Sequence, residues 1–315
     1  MATTHVAARS AATGRKRRRS GLARREALWC YVFMAPAILG VLLFSVGPMI
    51  ASFVLSFTSY DMLSSPEWVG PKNYTKLAAD PLFLKSLQVT LTYAVVVVPG
   101  TMLMGLVVAI LLNAKLPAIG FFRSAYYLPT VIGGVAVARV WAMLYNPEVG
   151  LFNQILGLFG IDGPGWLTDE RWALWSLAFM GVWGFGGTML IYLAGLQGIP
   201  KELYEAAEVD GAGGFRKHIF VTIPMLSNVT FFNLVMGIIG ALQVFAEPFV
   251  LTQGTGRPNN STLLLPLYLY KVAFEYLEMG YAAAIAWVVF AITLVLTALV
   301  FRSLPLWVHT EVSDN

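Results

Sequence analysis

Six stretches of the chain are predominantly apolar for roughly 20 residues or more, the length a helix needs to cross a bilayer. They cover about 29–55, 87–112, 125–144, 173–196, 229–251 and 281–301. Turn-rich pieces such as Ser64-Ser65-Pro66 and Gly254-Thr255-Gly256-Arg257-Pro258 punctuate the connections. The pattern predicts an all-α membrane protein with six transmembrane helices. A basic, disordered tail (1–28) is expected before a six-span domain (29–303), and a short tail (304–315) after it.

One connection stands apart. Residues 201–218 read KELYEAAEVDGAGGFRKH and crowd Glu202, Glu205, Glu208 and Asp210 together with Lys201, Arg216, Lys217 and His218. Gly198-Ile199-Pro200 ends the fourth stretch, and Pro200 suits the first turn of a new helix, where its missing N–H is not needed. Strong helix formers follow over 201–209, with Glu202 and Glu205 near the positive end of the helix dipole. Gly211 is the expected stop, because glycine takes the left-handed C-terminal conformation freely. A second short helix is expected over 215–220, and Pro224 marks entry into the fifth span. Leu203, Ala206 and Ala207 give the first helix a small apolar face. Charge alone leaves two readings of this loop, about 198–224: a helix another protein docks on, or a solvated loop.

Composition fits lipid. The chain of 315 residues is 57% hydrophobic and 12% charged, with a mean hydropathy of +0.69, whereas soluble domains carry about 25% charged residues. Eight of the 21 Lys and Arg precede residue 29, including the run Arg15 to Arg19. Such a run binds nucleic acid or marks a cytoplasmic flank. With an apolar span directly behind it, and no aromatics interleaved, the flank is the reading and no nucleic-acid partner is expected. Counting flanking Lys and Arg gives 14 on the side of the N-terminus and 7 on the other. Both termini and the 198–224 loop are therefore expected in the cytoplasm. The first stretch exceeds the ~7–15 residues of a signal-peptide core and has no small-residue cleavage site, so it reads as an anchor. Trp68, Trp166, Trp172 and Tyr268 fit interfacial anchoring.

The spans lack the residues of several chemistries. Ion-coupled carriers, proton pumps and intramembrane proteases keep ionisable groups at membrane depth. Here only Arg139 and Glu247 lie in the spans, each near an outer end. His5, His218 and His309 are scattered, which gives no metal site, and Cys30 has no intramolecular partner. None of the eight lysines follows a glycine, so no Gly-Lys-Ser/Thr phosphate loop exists. No catalytic residue is expected, and no cofactor in this chain. Neutral polar groups remain as candidates for a solute path: Trp183, Thr188 and Tyr192 in the fourth span, Asn233 and Gln243 in the fifth. Asn233 and Gln243 project within ~80° of each other on a continuous helix. They serve either a solute or interhelical hydrogen bonding, and the glycines at 181, 184, 186, 187, 237 and 240 are read as sites of close helix packing.

The loop carries a more specific signal. Glu205-Ala206-Ala207, then Asp210-Gly211-Ala212, then Val221-Thr222-Ile223-Pro224 closely resembles the EAA loop of ABC importer permeases in residues and spacing. Val221 stands for the usual isoleucine, Ile223 for leucine, and His218 for an aromatic. The segments GPMIASFVLSFTSYD (47–61), WVGPKNY (68–74), FRSAYYLPTVIGGVAVARVWAMLYNPEVGLFNQIL (122–156) and FVLTQGTGRPNNSTLLLPLYLYKVAF (249–274) are similar to further segments of the carbohydrate branch of that family.

The resemblance implies a type I ABC importer permease of a bacterial or archaeal cytoplasmic (inner) membrane. The loop would be a coupling helix between spans four and five, inserted in a cleft of a cytoplasmic ATPase. Glu205, Ala206, Ala207, Asp210, Gly211, Ala212 and Pro224 would make that coupling site. Two ATPase subunits would hold ATP and Mg. A second permease chain would complete a hetero-dimer, and an extracytoplasmic solute-binding protein would dock on the outer loops. The solute would be a sugar, or a related polyol or glycerol phosphate. The rival readings are a carrier that does not use ATP and a membrane scaffold subunit.

Overall fold

The computed structural model describes residues 21–114 and 117–307. The expected tails at 1–20 and 308–315 lie outside the described residues, whereas residues 21–28 and 304–307 are helical, extending the first and last spans beyond the expected bounds. Contacts divide the chain after Ser52. The first unit holds α1 (Gly21–Val41), a π-helical turn at Leu42–Val46 and most of α2 (Gly47–Leu55). Gly47 donates its N–H to the Leu42 carbonyl, one residue further back than an α-helix requires.

The second unit begins with the end of α2 and a two-residue antiparallel ladder, β1 (Thr58–Ser59) with β2 (Glu67–Trp68). Then come α3 (Lys72–Ala79), α4 (Pro81–Leu112), α5 (Ile119–Val131), α6 (Gly134–Leu144) and α7 (Leu151–Leu158). They are followed by α8 (Glu170–Trp183), α9 (Gly186–Gln197), α10 (Lys201–Val209), α11 (Gly214–Lys217) and α12 (Ile223–Met225). The chain closes with α13 (Ser227–Leu242), α14 (Ala246–Thr252), α15 (Leu265–Tyr270) and α16 (Met279–Trp307).

Among the described residues, five helical stretches are long and apolar enough to cross a membrane: Arg25–Leu55, Pro81–Leu112, Glu170–Gln197, Ser227–Thr252 and Met279–Trp307. The sixth expected span, 125–144, differs from a straight helix. It is the pair α5 and α6, bent by 99°. The bend arises because Ile132 (φ −75°, ψ 130°) and Gly133 (φ −58°, ψ 140°) both leave helical geometry. Hydropathy runs through this point without interruption, which is why composition does not reveal it.

The central helix is α4, which packs against α8, α9 and α13. Towards one end Val89, Tyr93, Val97 and Val98 meet Trp141, Leu177, Met180 and Ala241. Towards the other, Val108, Ala109 and Leu112 meet Met189, Leu193, Leu196 and Leu226. Lipid tails are as apolar as these side chains, so association between the helices rests on close packing rather than on escape from water.

Asp80 anchors the start of α4. Its Oδ1 accepts from the Leu82 amide at 2.9 Å, with Pro81 in the first turn. Its Oδ2 accepts from the Tyr281 hydroxyl at 2.6 Å and from the Tyr268 hydroxyl, tying α4 to α15 and α16. Tyr268, expected among interfacial anchors, is instead buried at this junction. Lys76 lies over the Tyr281 ring at 4.2 Å and pairs with Glu278. Burial alone would raise the Asp80 pKa, but the two tyrosine hydroxyls and the Leu82 and Phe83 amides outweigh it and hold the value below the ordinary 3.8. The stabilisation is thus fully present above about pH 4 and is lost as pH falls through the lower folded-state value. Asp80→Asn, whose single acceptor oxygen cannot serve both the Leu82 amide and the two hydroxyls, is expected to cost about 2 kcal/mol and to blunt acid destabilisation. Thermal unfolding of the solubilised chain between acid and neutral pH measures both.

Candidate functional site

The 198–224 loop is a built structure. Helix α10 begins after Pro200, at its N-cap, and ends at Asp210. Gly211 takes φ +74°, and the chain closes the helix by donating Gly211 N–H to the Glu208 carbonyl (3.0 Å) and Ala212 N–H to the Ala207 carbonyl (2.9 Å). These are the two bonds of a Schellman motif, which satisfies the last carbonyls of a helix and turns the chain sharply. The second helix is shorter than expected and continues differently: α11 passes into a π-helical turn at His218–Thr222 and then α12, with Pro224 in its first turn.

Side chains brace the loop against the helices. The buried Thr222 hydroxyl shares hydrogen bonds with the Tyr204 hydroxyl (2.9 Å) and His218 Nδ1 (3.2 Å). Lys217 pairs with Glu208 across the turn. Glu205, Ala206, Asp210 and Gly211 are left exposed, with Ala207 and Ala212 half-buried. Among the described residues, no ion pair engages Glu205. Val209, Phe215 and Phe220, at 89%, 78% and 73% exposure, add open apolar surface beside these acids. An apolar side chain held in the open on a braced loop is characteristic of a surface that another molecule covers.

A second feature lies among the broken helices. The bend between α5 and α6, the break between α8 and α9, and the break between α13 and α14 all border one cavity of about 440 Å3. Ile132 and Gly134 line it from the first break, Trp183 and Gly184 from the second, Val244 and Glu247 from the third, and Tyr93 and Thr101 from α4. Helix breaks leave backbone groups without intrahelical partners, which at membrane depth is tolerated where they face protein or a water-filled cavity. Close approach matters at Gly134, where a Cβ would lie 2.7 Å from Glu247 Oε1.

The five residues expected along a solute path separate into four places. Trp183 is on the cavity wall, edge-on to Trp141 at 5.5 Å. Thr188 packs against α4, its methyl 3.0 Å from where a Cβ on Gly105 would stand. Tyr192 and Asn233 are both buried in the core where α9 packs on α13. Asn233 Nδ2 is buried there without a partner among the described residues. Gln243 caps the end of α13 and lines a separate groove of about 400 Å3 with Tyr270 and Phe274. Asn233 and Gln243 do not share a surface. Tyr93, Thr101, Thr130 and Glu247 gather around Trp183 only in the folded chain; the lone carboxylate Glu247 before Pro248, in an otherwise apolar span, is the sequence signal for them.

Comparison with known proteins accounts for nearly the whole chain. The family model for the binding-protein-dependent transport system inner membrane component matches residues 27–306. The chain is 41% identical over 295 residues to the probable ABC transporter permease protein YesP of Bacillus subtilis (strain 168), across 93% of this chain and 95% of that protein. It is 38% identical over 289 residues to the lactose transport system permease protein LacF of Rhizobium radiobacter, across 90% and 96%. Its fold is similar to a chain in the crystal structure of a bacterial ABC transporter involved in the import of the acidic polysaccharide alginate. That likeness has a TM-score of 0.78 at 23% identity and covers 88% of this chain and 95% of that one.

Proposed function

The chain belongs to the family of binding-protein-dependent transport system inner membrane components, and from that premise we propose that it forms part of the path by which an ATP-driven importer moves a sugar, or a related polyol or glycerol phosphate, into the cytoplasm. Permease subunits of this family carry no ATPase of their own. In this reading the N-terminal side and the 198–224 loop face the cytoplasm, a second permease chain completes the pore, and two ATPase subunits engage one loop on each permease. The solute arrives on an extracytoplasmic binding protein.

The observation that carries this reading is the form of the loop. Glu205, Ala206 and Asp210 stand exposed on a helix held by a Schellman turn and by Tyr204, His218 and Thr222, so a partner that moves the helix also moves α9 and α13 on either side of it. In this reading the cavity at the three helix breaks is the solute path through this chain, with Trp183 and Tyr93 offering aromatic faces and Thr101 and Thr130 hydroxyls. The carbohydrate assignment is supported by relatives such as the lactose permease.

Uptake into membrane vesicles that contain the complete system tests this, with labelled lactose and arabinose oligosaccharides as first probes. Uptake should require internal ATP and continue when proton and sodium gradients are collapsed. Uptake that follows an ion gradient and ignores ATP would make the chain a secondary carrier. Trp183→Ala is expected to lower uptake about tenfold while leaving the complex assembled, by analogy with the ~1–3 kcal/mol of a nucleobase stacked on an aromatic side chain.

A further inference from the structure

Resting on the assignment of the 440 Å3 cavity as the solute path, we propose that Glu247 makes that cavity an electrostatic filter, which admits neutral and cationic solutes and turns away anionic ones such as sugar phosphates and uronates. The charge inventory of the wall points this way. Its polar side chains are Tyr93, Thr101, Thr130, Trp183 and Glu247, and Glu247 is the one that carries a formal charge. Among the described residues, no lysine or arginine lines the cavity and no ion pair neutralises Glu247. The remaining wall is valine, glycine, methionine, proline, isoleucine and alanine. Low-dielectric walls of that kind focus the field of a single charge instead of letting water spread it.

Geometry holds the carboxylate at the wall. Glu247 lies in the first turn of α14, immediately after the break that follows α13. Gly134, the first residue of α6, faces it. A Cβ there would fall 2.7 Å from Oε1 and 3.3 Å from Cδ, so the absence of a side chain at 134 leaves the space the carboxylate fills. Tyr93, buried in α4, lines the same cavity as Glu247. Two broken helices and α4 thus converge on one negative group. An arriving hydroxyl can donate to that carboxylate, whereas a phosphate or uronate would place like charges together in a poorly screened space. The filter removes glycerol phosphates from the candidate solutes and leaves neutral saccharides and polyols, with amino sugars also admitted.

Charge-selective thiol labelling tests this without knowledge of the solute. In the assembled importer with Cys30→Ser, single reporters are introduced as Thr101→Cys and, separately, Val244→Cys in the cavity wall, with Leu63→Cys, at an 85% exposed position, as the solvent reference. The reagents are the trimethylammonium and sulfonate ethyl methanethiosulfonates, with the small neutral methyl reagent as an access control. The cation-to-anion rate ratio at either cavity reporter should exceed the reference ratio by about tenfold or more, as one unit charge a few ångströms away dictates at an effective dielectric of about 20. Glu247→Gln, which keeps the shape, should return the ratio to the reference. A cavity ratio equal to the reference, or one that Glu247→Gln leaves unchanged, overturns the filter but not the solute path. Reporters at both positions that react with none of the three reagents would show a cavity closed to water, and would overturn the path and the filter together.

Discussion

Replacing Glu205 with lysine is expected to abolish ATP-driven uptake while leaving the chain folded and inserted. Glu205 is exposed on α10, and its neighbours on the helix are held by other residues: Tyr204 by Thr222, Glu208 by Lys217. Surface substitutions of this kind shift stability by about 0.5 kcal/mol or less. In the assembled importer the same carboxylate would be enclosed by the ATPase. Reversing a charge that pairs across a desolvated interface costs about 2–5 kcal/mol, which corresponds to a loss of affinity of about 30-fold to several thousandfold. The prediction therefore separates two quantities. Yield and thermal midpoint of the isolated chain stay near wild type, whereas solute-stimulated ATP hydrolysis and co-purifying ATPase fall by about 100-fold. A mutant that hydrolyses ATP normally in response to solute would remove Glu205 from the coupling surface.

Gly186→Val should produce the largest structural defect. At the start of α9, Gly186 lies under α5 so closely that a Cβ would stand 2.4 Å from the Tyr126 carbonyl oxygen and 3.1 Å from the Tyr127 Cα. Those are backbone atoms, so a side-chain rotation cannot relieve the clash and α5 must move. Overpacking at a rigid contact costs about 3 kcal/mol. Because α5 leads into the 99° bend that borders the cavity, the displacement should reach the solute path as well. The neighbouring Gly187 has nothing within 4 Å of the corresponding position. Gly187→Ala is expected to be neutral or to stabilise α9 by up to about 1 kcal/mol, since alanine is the better helix former. Thermal unfolding and uptake of the pair separate packing at residue 186 from any general requirement for glycine in this segment.

The two glycines also show where the sequence could be read and where it could not. Both were expected to serve close helix packing, and only Gly186 does; adjacent residues on a helix point about 100° apart, and which one meets a neighbour depends on tertiary placement. The first, second and last spans were legible because apolar composition is sufficient to define them. The start of α4 was not, since Lys85, Ser86 and Gln88 dilute its hydropathy, although Asp80-Pro81 is a good N-cap pair. The bend at Ile132-Gly133 was hidden by continuous hydropathy. Loop 198–224 was legible in detail, down to Gly211 as the stop of α10, because glycine, proline and the charged residues act locally there. The cavity was not, because Tyr93, Thr101, Trp183 and Glu247 come from three separate elements and meet only through the fold. Asn233 illustrates the same limit: its helical angle placed it beside Gln243, but α13 ends at Leu242 and the two face different surroundings.

The most direct test of the account is purification of this chain from its native membrane in mild detergent, with the co-purifying proteins identified and ATP hydrolysis assayed. The account predicts a complex with a second permease chain and nucleotide-hydrolysing subunits, in which hydrolysis rises with the solute-loaded binding protein and the ATPase is lost on Glu205→Lys. A chain that purifies without any hydrolysing partner, at every detergent strength that keeps it folded, would contradict it.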